Sequence, residues 1–174
     1  VDNETASITF SALSGNTTEM GGTATFTVVL DSQPTSDVSI AVSSSDTSEA
    51  TISPSSLTFG SSNYSTLQTV TVTGVDDFYD DDNVSYTITV DPSSSIASYN
   101  TMTSSTITGS NIDNDTAAIA VGAKSGNTSE FGTTATINVT LATIPTANVS
   151  IVVTDNDSTE VSITPDTLTI TPST

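Results

Sequence analysis

Apolar and hydroxyl residues alternate along much of this chain, with the period of two that marks strands buried on one face. The inward sets are Ile8/Phe10, Ala24/Phe26/Val28/Leu30, Val38/Ile40/Val42, Ile52 with Leu57/Phe59, Val70/Val72, Tyr86/Ile88/Val90 and Ile107. Turn chemistry separates them at Ser14-Gly15-Asn16, Asp31 to Pro34, Ser43 to Asp46, Gly60 to Asn63 and Asp91-Pro92. Seven strands, A to G, are predicted at roughly 6–12, 23–31, 38–44, 50–59, 66–75, 84–91 and 103–111. No stretch carries a helical period.

The pattern then starts again. S-G-N-T-T-E-M-G-G-T-A-T-F-T-V-V-L from Ser14 returns as S-G-N-T-S-E-F-G-T-T-A-T-I-N-V-T-L from Ser125, an offset of 111 residues. The offset holds without a gap: Glu19 falls on Glu130, Pro34 on Pro145, Asp46 on Asp157, Glu49 on Glu160 and Pro54 on Pro165. A period of this size is too long for a solenoid unit and matches one β-sandwich domain. The expected architecture is all-β: an Ig-like antiparallel sandwich of about seven strands, tandemly repeated. Residues 1–115 make one complete copy, and 116–174 the first four strands, A to D, of a second. Thr174 aligns with the close of strand D, so the expected chain is a piece of a longer array, or a neighbouring chain completes the second sandwich.

Composition narrows the chemistry. The net charge is −19, with one basic residue, Lys124, and no His, Cys or Trp. A nucleic-acid surface needs clustered Lys and Arg, and so does binding to an anionic membrane. Zinc, haem and iron–sulfur sites lose their usual nitrogen and sulfur ligands, and a nucleophilic triad loses its base. No apolar run approaches the ~20 residues of a membrane span. Val1-Asp2-Asn3-Glu4 is no signal peptide, and the near absence of Lys and Arg suits life outside a cell.

The acids are unevenly placed. T-V-T-G-V-D-D-F-Y-D-D-D-N-V-S-Y, from Thr71 to Tyr86, ends a strand in a glycine and then carries Asp76, Asp77, Asp80, Asp81 and Asp82. Two carboxylates ~4 Å apart repel by roughly 4 kcal/mol near a protein surface, so such a loop stays extended in water unless a cation gathers it. Calcium takes six to eight oxygens of this kind, whereas the bland reading is a solvated turn. In an up-and-down sandwich strands A, C, E and G finish at one end. The A–B link carries Glu19, the C–D link Asp46 and Glu49, the E–F link Asp76 to Asp82, and the tail of G carries Asn111, Asp113 and Asp115. The other end holds only Asp31, Asp37 and Asp91. A merely acidic surface has no reason to sort its charges this way.

G-V-D-D-x-x-x-D-D after strand E, the T-x-E-x-G turn before strand B and I-D-N-D at Ile112–Asp115 together resemble the Calx-beta domain. That family is the regulatory calcium module of sodium/calcium exchangers and a tandem repeat in bacterial surface adhesins. The resemblance implies Ca2+ as the cofactor. It implies ligands at Glu19, Asp46, Asp76, Asp77, one or more of Asp80, Asp81 and Asp82, and Asp113 and Asp115, with Glu130 and Asp157 as an incomplete counterpart in the second copy. Asn114 interrupts the all-acidic tail of the exchanger domain, and the loop S-S-S-D-T-S-E around Asp46 is differently built.

The expected function is a structural calcium-binding repeat of a long extracellular or cell-surface adhesin or filament, not an enzyme. Its expected partners are neighbouring repeats or identical chains, with any glycan or cell-surface ligand elsewhere in the parent protein. A glycan-binding module is the alternative, with Tyr64, Tyr79 and Tyr99 in turns that can stack on a sugar or cover the ends of the core. A calcium sensor would need a coupled partner, and a carboxylate pair of glycosidase type would need a cleft. Sequons at Asn16, Asn63, Asn83, Asn127, Asn138, Asn148 and Asn156 are expected by chance in a chain so rich in Ser and Thr.

Overall fold

The computed structural model describes residues 4–172. Val1 to Asn3 and the expected strand end at Thr174 lie outside them. The chain divides into two compact units, Val1–Asp77 with Asp81–Asn114, and Phe78–Asp80 with Asp115–Thr174.

The first unit is an Ig-like β-sandwich. One sheet holds β1 (Ile8–Phe10), β3 (Thr23–Leu30), β7 (Gln68–Gly74) and β5 (Ala50–Ser53), in the order β1-β3-β7-β5. The other holds β2 (Thr17–Thr18), β9 (Ser105–Ile112), β8 (Val84–Ser94), β4 (Val38–Ser44) and β6 (Ser56–Phe59), in the order β2-β9-β8-β4-β6. Four strands facing five in this order is the arrangement of immunoglobulin-type domains. The alternation sets the register: Phe26 pairs with Val70 and Ala24 with Val72 in one sheet, and Val42 with Val90 in the other. Phe26, Val28, Leu30, Val38, Ile40, Phe59, Val70, Val72, Tyr86 and Ile88 are buried between the sheets. Each such side chain contributes about 1.5–3 kcal/mol on burial, which is what holds together two sheets in which nearly half the residues are Thr or Ser.

Three sequence expectations are corrected. Strand D is two strands: β5 belongs to one sheet and β6 to the other, the change falling at Pro54, which has no N–H to give a continuous ladder. The chain does not reverse there, so the up-and-down order survives. Asp91-Pro92 is no turn but lies inside β8, which runs to Ser94 and pairs Pro92 with Ile40. Proline is tolerated because β9 pairs with β8 only as far as Val90, leaving that edge of the strand open. Residues Ala97–Asn100 form one helical turn, α1, where no helix is expected. It seats Tyr99 in the core, the phenol donating to the carbonyl of Ser32 at 2.9 Å.

The second unit contains β10 (Ile119–Val121) paired with β11 (Val139–Leu141), and β12 (Val149–Val152) paired with β13 (Thr167–Ile170). Ile119 pairs with Leu141 as Ile8 does with Leu30, and Val149 with Ile170 as Val38 does with Phe59, every partner moved by 111 residues. Local detail follows the same offset. Ser14 N donates to the carbonyl of Thr25, and Ser125 N to that of Thr136. Gly21 and Gly132, at φ 78° and 83°, make the same left-handed step before the strand. Within this unit Ile144 N donates to the Phe78 carbonyl at 2.8 Å, and Ala117 N to Asp80 Oδ2 at 2.7 Å.

Candidate metal centre

Four segments of the first unit meet at one end of its sandwich: the β2–β3 turn, the β4–β5 link, the β7–β8 loop and the residues after β9. Ladder register brings them together, since Thr23 at the start of β3 faces Thr73 at the end of β7, Ala50 faces Gly74, and Val84 faces Asn111. The parallel pairing of Thr17 with Asn111 brings the β2–β3 turn to the same end.

Glu49, Asp77 and Asp81 form the first acidic group, each offering a carboxylate oxygen within 4.8 Å of the other two. Oxygens on opposite sides of one calcium ion lie about 4.6–5.2 Å apart, twice its usual ligand distance. Glu49 is only 6% exposed. Its Oε2 accepts from Asn111 Nδ2 at 3.3 Å, and the same amide donates to the Val75 carbonyl at 2.9 Å. Asn111 Oδ1 accepts from Thr17 Oγ1 at 2.9 Å, and Thr17 in turn lies 3.2 Å from the Tyr86 hydroxyl. A buried polar strut thus runs from the core to the acids. Gly74 leaves room for it: a Cβ there would lie 2.2 Å from the Thr18 carbonyl oxygen and 2.4 Å from Asn111 Oδ1.

Glu19 and Asp113 form a second pair, their oxygens again within 4.8 Å. Glu19 is 2% exposed and accepts from Asn114 N at 3.1 Å. Asp113 accepts from Asp82 N at 3.1 Å, and its own N donates to Asn83 Oδ1. Asp82 takes a left-handed backbone, φ 64°, to make this approach. Asn114 Nδ2 donates to Asp76 Oδ1 at 3.3 Å.

Burial and mutual repulsion both act on these acids. Burial pushes the Glu19 carboxyl up to about 7 from the ordinary 4.5; the Asn114 N–H opposes this, and Asp113 and Asp77 add to it. Burial raises Glu49 as well, against its bond from Asn111, with Asp81, Asp46 and Asp77 adding repulsion. Asp81 is raised by burial and then by Asp77 and Asp113. The single basic side chain, Lys124, belongs to the second unit and donates to Asn127.

The structure redistributes the expected ligands. Asp77, Asp81, Glu19 and Asp113 converge, and Asp76 and Asp82 line the same loops. Asp46 is turned to its own link, accepting from Ser48 N at 3.0 Å and from the Ser48 hydroxyl, which hold its carboxyl below the usual range. Glu49 stands in the group instead. Its signal in the sequence was an acid placed directly before a strand, repeated as Glu160 at the same offset. Asp80 and Asp115 fall in the second unit. Asp157 there repeats the local turn of Asp46 with Thr159, which lowers it in the same way, and Glu130 is exposed. Neither joins a group of three acids among the described residues. Of the aromatic residues expected in turns, Tyr99 is buried and Tyr64 packs partly buried against the core.

No protein-family model matches the sequence, and no curated protein does. Among solved structures, the chaperone–tip adhesin pre-assembly complex CsuC–CsuE of Acinetobacter baumannii aligns at 12% identity, covering 63% of this chain and 58% of that one, with a TM-score of 0.46. The chaperone DraB of E. coli aligns at 11% identity over 64% of this chain and 57% of its own, with a TM-score of 0.45. SSP-19, an MSP-domain-like protein of Caenorhabditis elegans, aligns at 15% identity over 57% and 92%, with a TM-score of 0.39. The chain spans less than two thirds of the length of the two bacterial chains.

Proposed function

We propose that this chain is a calcium-binding, Calx-beta-type repeat of an extracellular surface protein, and that the ion ties the loops at one end of the sandwich into a fixed structure. The observation that carries this is the convergence of Glu49, Asp77 and Asp81 from two separate links, with Glu19 and Asp113 paired on neighbouring segments of the same unit. Left to themselves these carboxylates oppose folding; a hard divalent cation turns the same arrangement into a stabilising one. Their oxygens, with the carbonyls of the loops, are ligands that calcium prefers to magnesium, which keeps its waters and demands an octahedron. The 111-residue correspondence of sequence, strand register and turn geometry supports tandem repetition. The role that follows is structural: a rigid link in an adhesin or filament, with neighbouring repeats as its partners.

Calcium titration by calorimetry, together with thermal melts in calcium and in chelator, tests the proposal. A ligand that binds only the folded state stabilises it by about 2.7 kcal/mol at 100 times its dissociation constant, so the melt of the first unit rises by several degrees in calcium and much less in magnesium. A melt identical in calcium and chelator, with no heat of binding, overturns it.

A further inference from the structure

Tyrosines aside, the buried polar or charged side chains among the described residues are Thr17, Glu19, Glu49 and Asn111, all at the acidic end of the first unit. A buried polar group costs free energy unless it is bonded, and an apolar side chain would fill a core as well. Thr17 is fully buried on β2, in parallel register with Asn111 of β9. Its hydroxyl donates to Asn111 Oδ1 at 2.9 Å and toward the Ser110 carbonyl at 3.3 Å, and lies 3.2 Å from the Tyr86 hydroxyl. A hydroxyl carries one proton. Thr17 gives its own to these carbonyl oxygens, so in its bond with Tyr86 the phenol is the donor. The Asn111 amide is fixed in turn, because its two N–H groups go to the Val75 carbonyl and to Glu49 Oε2. The Val75 carbonyl can only accept, so the amide cannot turn over. The bonds therefore run one way, from Tyr86 through Thr17 and Asn111 to an oxygen of Glu49.

The strands make room for this chain of bonds. Gly109 faces Tyr86 across β9 and β8, and a Cβ there would lie 2.5 Å from the ring and 2.7 Å from the hydroxyl. Glycine inside a strand weakens it, and here it marks the close approach of the phenol.

We propose that Thr17 and Tyr86 are positioning residues for the metal centre: through Asn111 they hold Glu49 as an acceptor beside Asp77 and Asp81, and so set calcium affinity from the core without touching the ion. The proposal rests on the calcium reading and extends it to residues that are not ligands. Without the Thr17 hydroxyl, Asn111 Oδ1 loses its buried donor and the amide is drawn out of place. Groups that orient a metal ligand from behind change affinity by about 10–100-fold when removed. A network that served only to stabilise the core would lower stability on mutation and leave the affinity of the folded protein unchanged.

The test uses the whole chain and four variants. Thr17→Val keeps the shape and removes the hydroxyl, Thr17→Ser keeps the hydroxyl, and Tyr86→Phe keeps the ring. Val28→Ala, opposite Gln68 at the far end of β7 from Gly74, is the control for lost stability alone. Calcium affinity is measured by calorimetry under conditions where urea melts show each variant folded. Exchange of the Asn111 side-chain amide is followed in chelator by nitrogen-15 NMR. Expected are calcium binding weaker by about tenfold or more in Thr17→Val, a smaller loss in Tyr86→Phe, and near-parental affinity in Thr17→Ser. Val28→Ala binds as the parent does, although it is less stable. In chelator the Asn111 amide exchanges faster in Thr17→Val and Tyr86→Phe than in the parent or in Thr17→Ser. If Thr17→Val does not fold, Tyr86→Phe decides by the same two readouts. Parental affinity in both variants that lack a hydroxyl, equal weakening in Val28→Ala, or an unchanged Asn111 amide overturns the positioning role while leaving the calcium reading intact. A parent chain that binds no calcium overturns the calcium reading, and the amide exchange then shows separately whether Thr17 and Tyr86 hold Asn111.

Discussion

Asn111 Nδ2 donates to Glu49 Oε2 at 3.3 Å across 62 residues of sequence, and the asparagine that makes this bond is itself 1% exposed. The pair joins the end of β9 to the β4–β5 link. It also holds a carboxylate where its neighbours repel it.

Replacing this residue separates two roles. Asn111→Ala leaves the Val75 carbonyl and Glu49 without their buried donor, a loss of about 1–3 kcal/mol. Asn111→Asp removes the same donor and adds a carboxylate beside Glu49, so in chelator it is the more destabilising of the two. Calcium neutralises the added charge and recovers part of that difference. Urea midpoints in calcium and in chelator check this: the gap between the two variants narrows in calcium. A gap of the same size in both conditions would mean that no ion reaches Glu49.

Gly74→Ala tests the strut from its other side. The new methyl would stand 2.2 Å from the Thr18 carbonyl oxygen and 2.4 Å from Asn111 Oδ1, and backbone cannot yield as a flexible side chain does. The expected loss is at least about 1–3 kcal/mol, the usual range for forced overpacking. Gly15→Ala, with nothing within 4 Å of its Cβ, is the control. Equal denaturant midpoints for the two variants would contradict the close approach.

What the sequence conveys about this fold is mostly what burial alone decides. Val70/Val72 and Tyr86/Ile88/Val90 alternate because one face of each strand meets the core, and that period survives into the structure. The division of strand D was hidden because Ile52 and Leu57/Phe59 face the same core from opposite sheets, so apolar spacing alone does not register the change. Asp91-Pro92 misled because proline forbids only one edge of a ladder, and periodicity does not say which edge is open. At the acidic end the crowded loop Asp76–Asp82 was conspicuous, while Glu49, one acid at the mouth of a strand, was not. Its part depends on a partner 62 residues away, and no local pattern carries that.

The raised acids set a pH dependence whose direction calcium changes. With no ion bound, Glu19 titrates near 7 in the folded chain against 4.5 as the ordinary value, so between those limits the folded state holds the more protons. Its contribution to stability is present in full below about pH 4.5 and is lost as pH rises through about 7. Glu49 and Asp81, also raised, act in the same direction. In chelator the first unit is therefore more stable to urea at pH 5 than at pH 8. Calcium binds the ionised acids, so in excess calcium this decline is cancelled or reversed, and calcium affinity falls as pH drops below 7. Chelated protein that gains stability from pH 5 to pH 8 would contradict the crowding of these acids.

The sharpest expectation concerns which acid of the β4–β5 link meets the ion. Asp46 is the acid that the family resemblance selects, but its carboxylate is turned to Ser48. Glu49 sits within 4.8 Å of Asp77 and Asp81 and is held there by Asn111. Glu49→Gln keeps the shape and one oxygen that can accept from Asn111 Nδ2, while removing one charge from the group. It should weaken calcium about as much as Asp77→Asn does, by roughly tenfold or more if the lost charge is worth ~1.4 kcal/mol. Asp46→Asn should act mainly on the local turn, with a small effect on affinity. Asp91→Asn, on an exposed stretch of β8 away from these loops, should leave calcium binding unchanged. Calorimetric titration of the four variants under one buffer ranks them directly. If Asp46→Asn abolishes binding while Glu49→Gln binds as the parent does, the ion is held by a different set of loops from those gathered around Asn111.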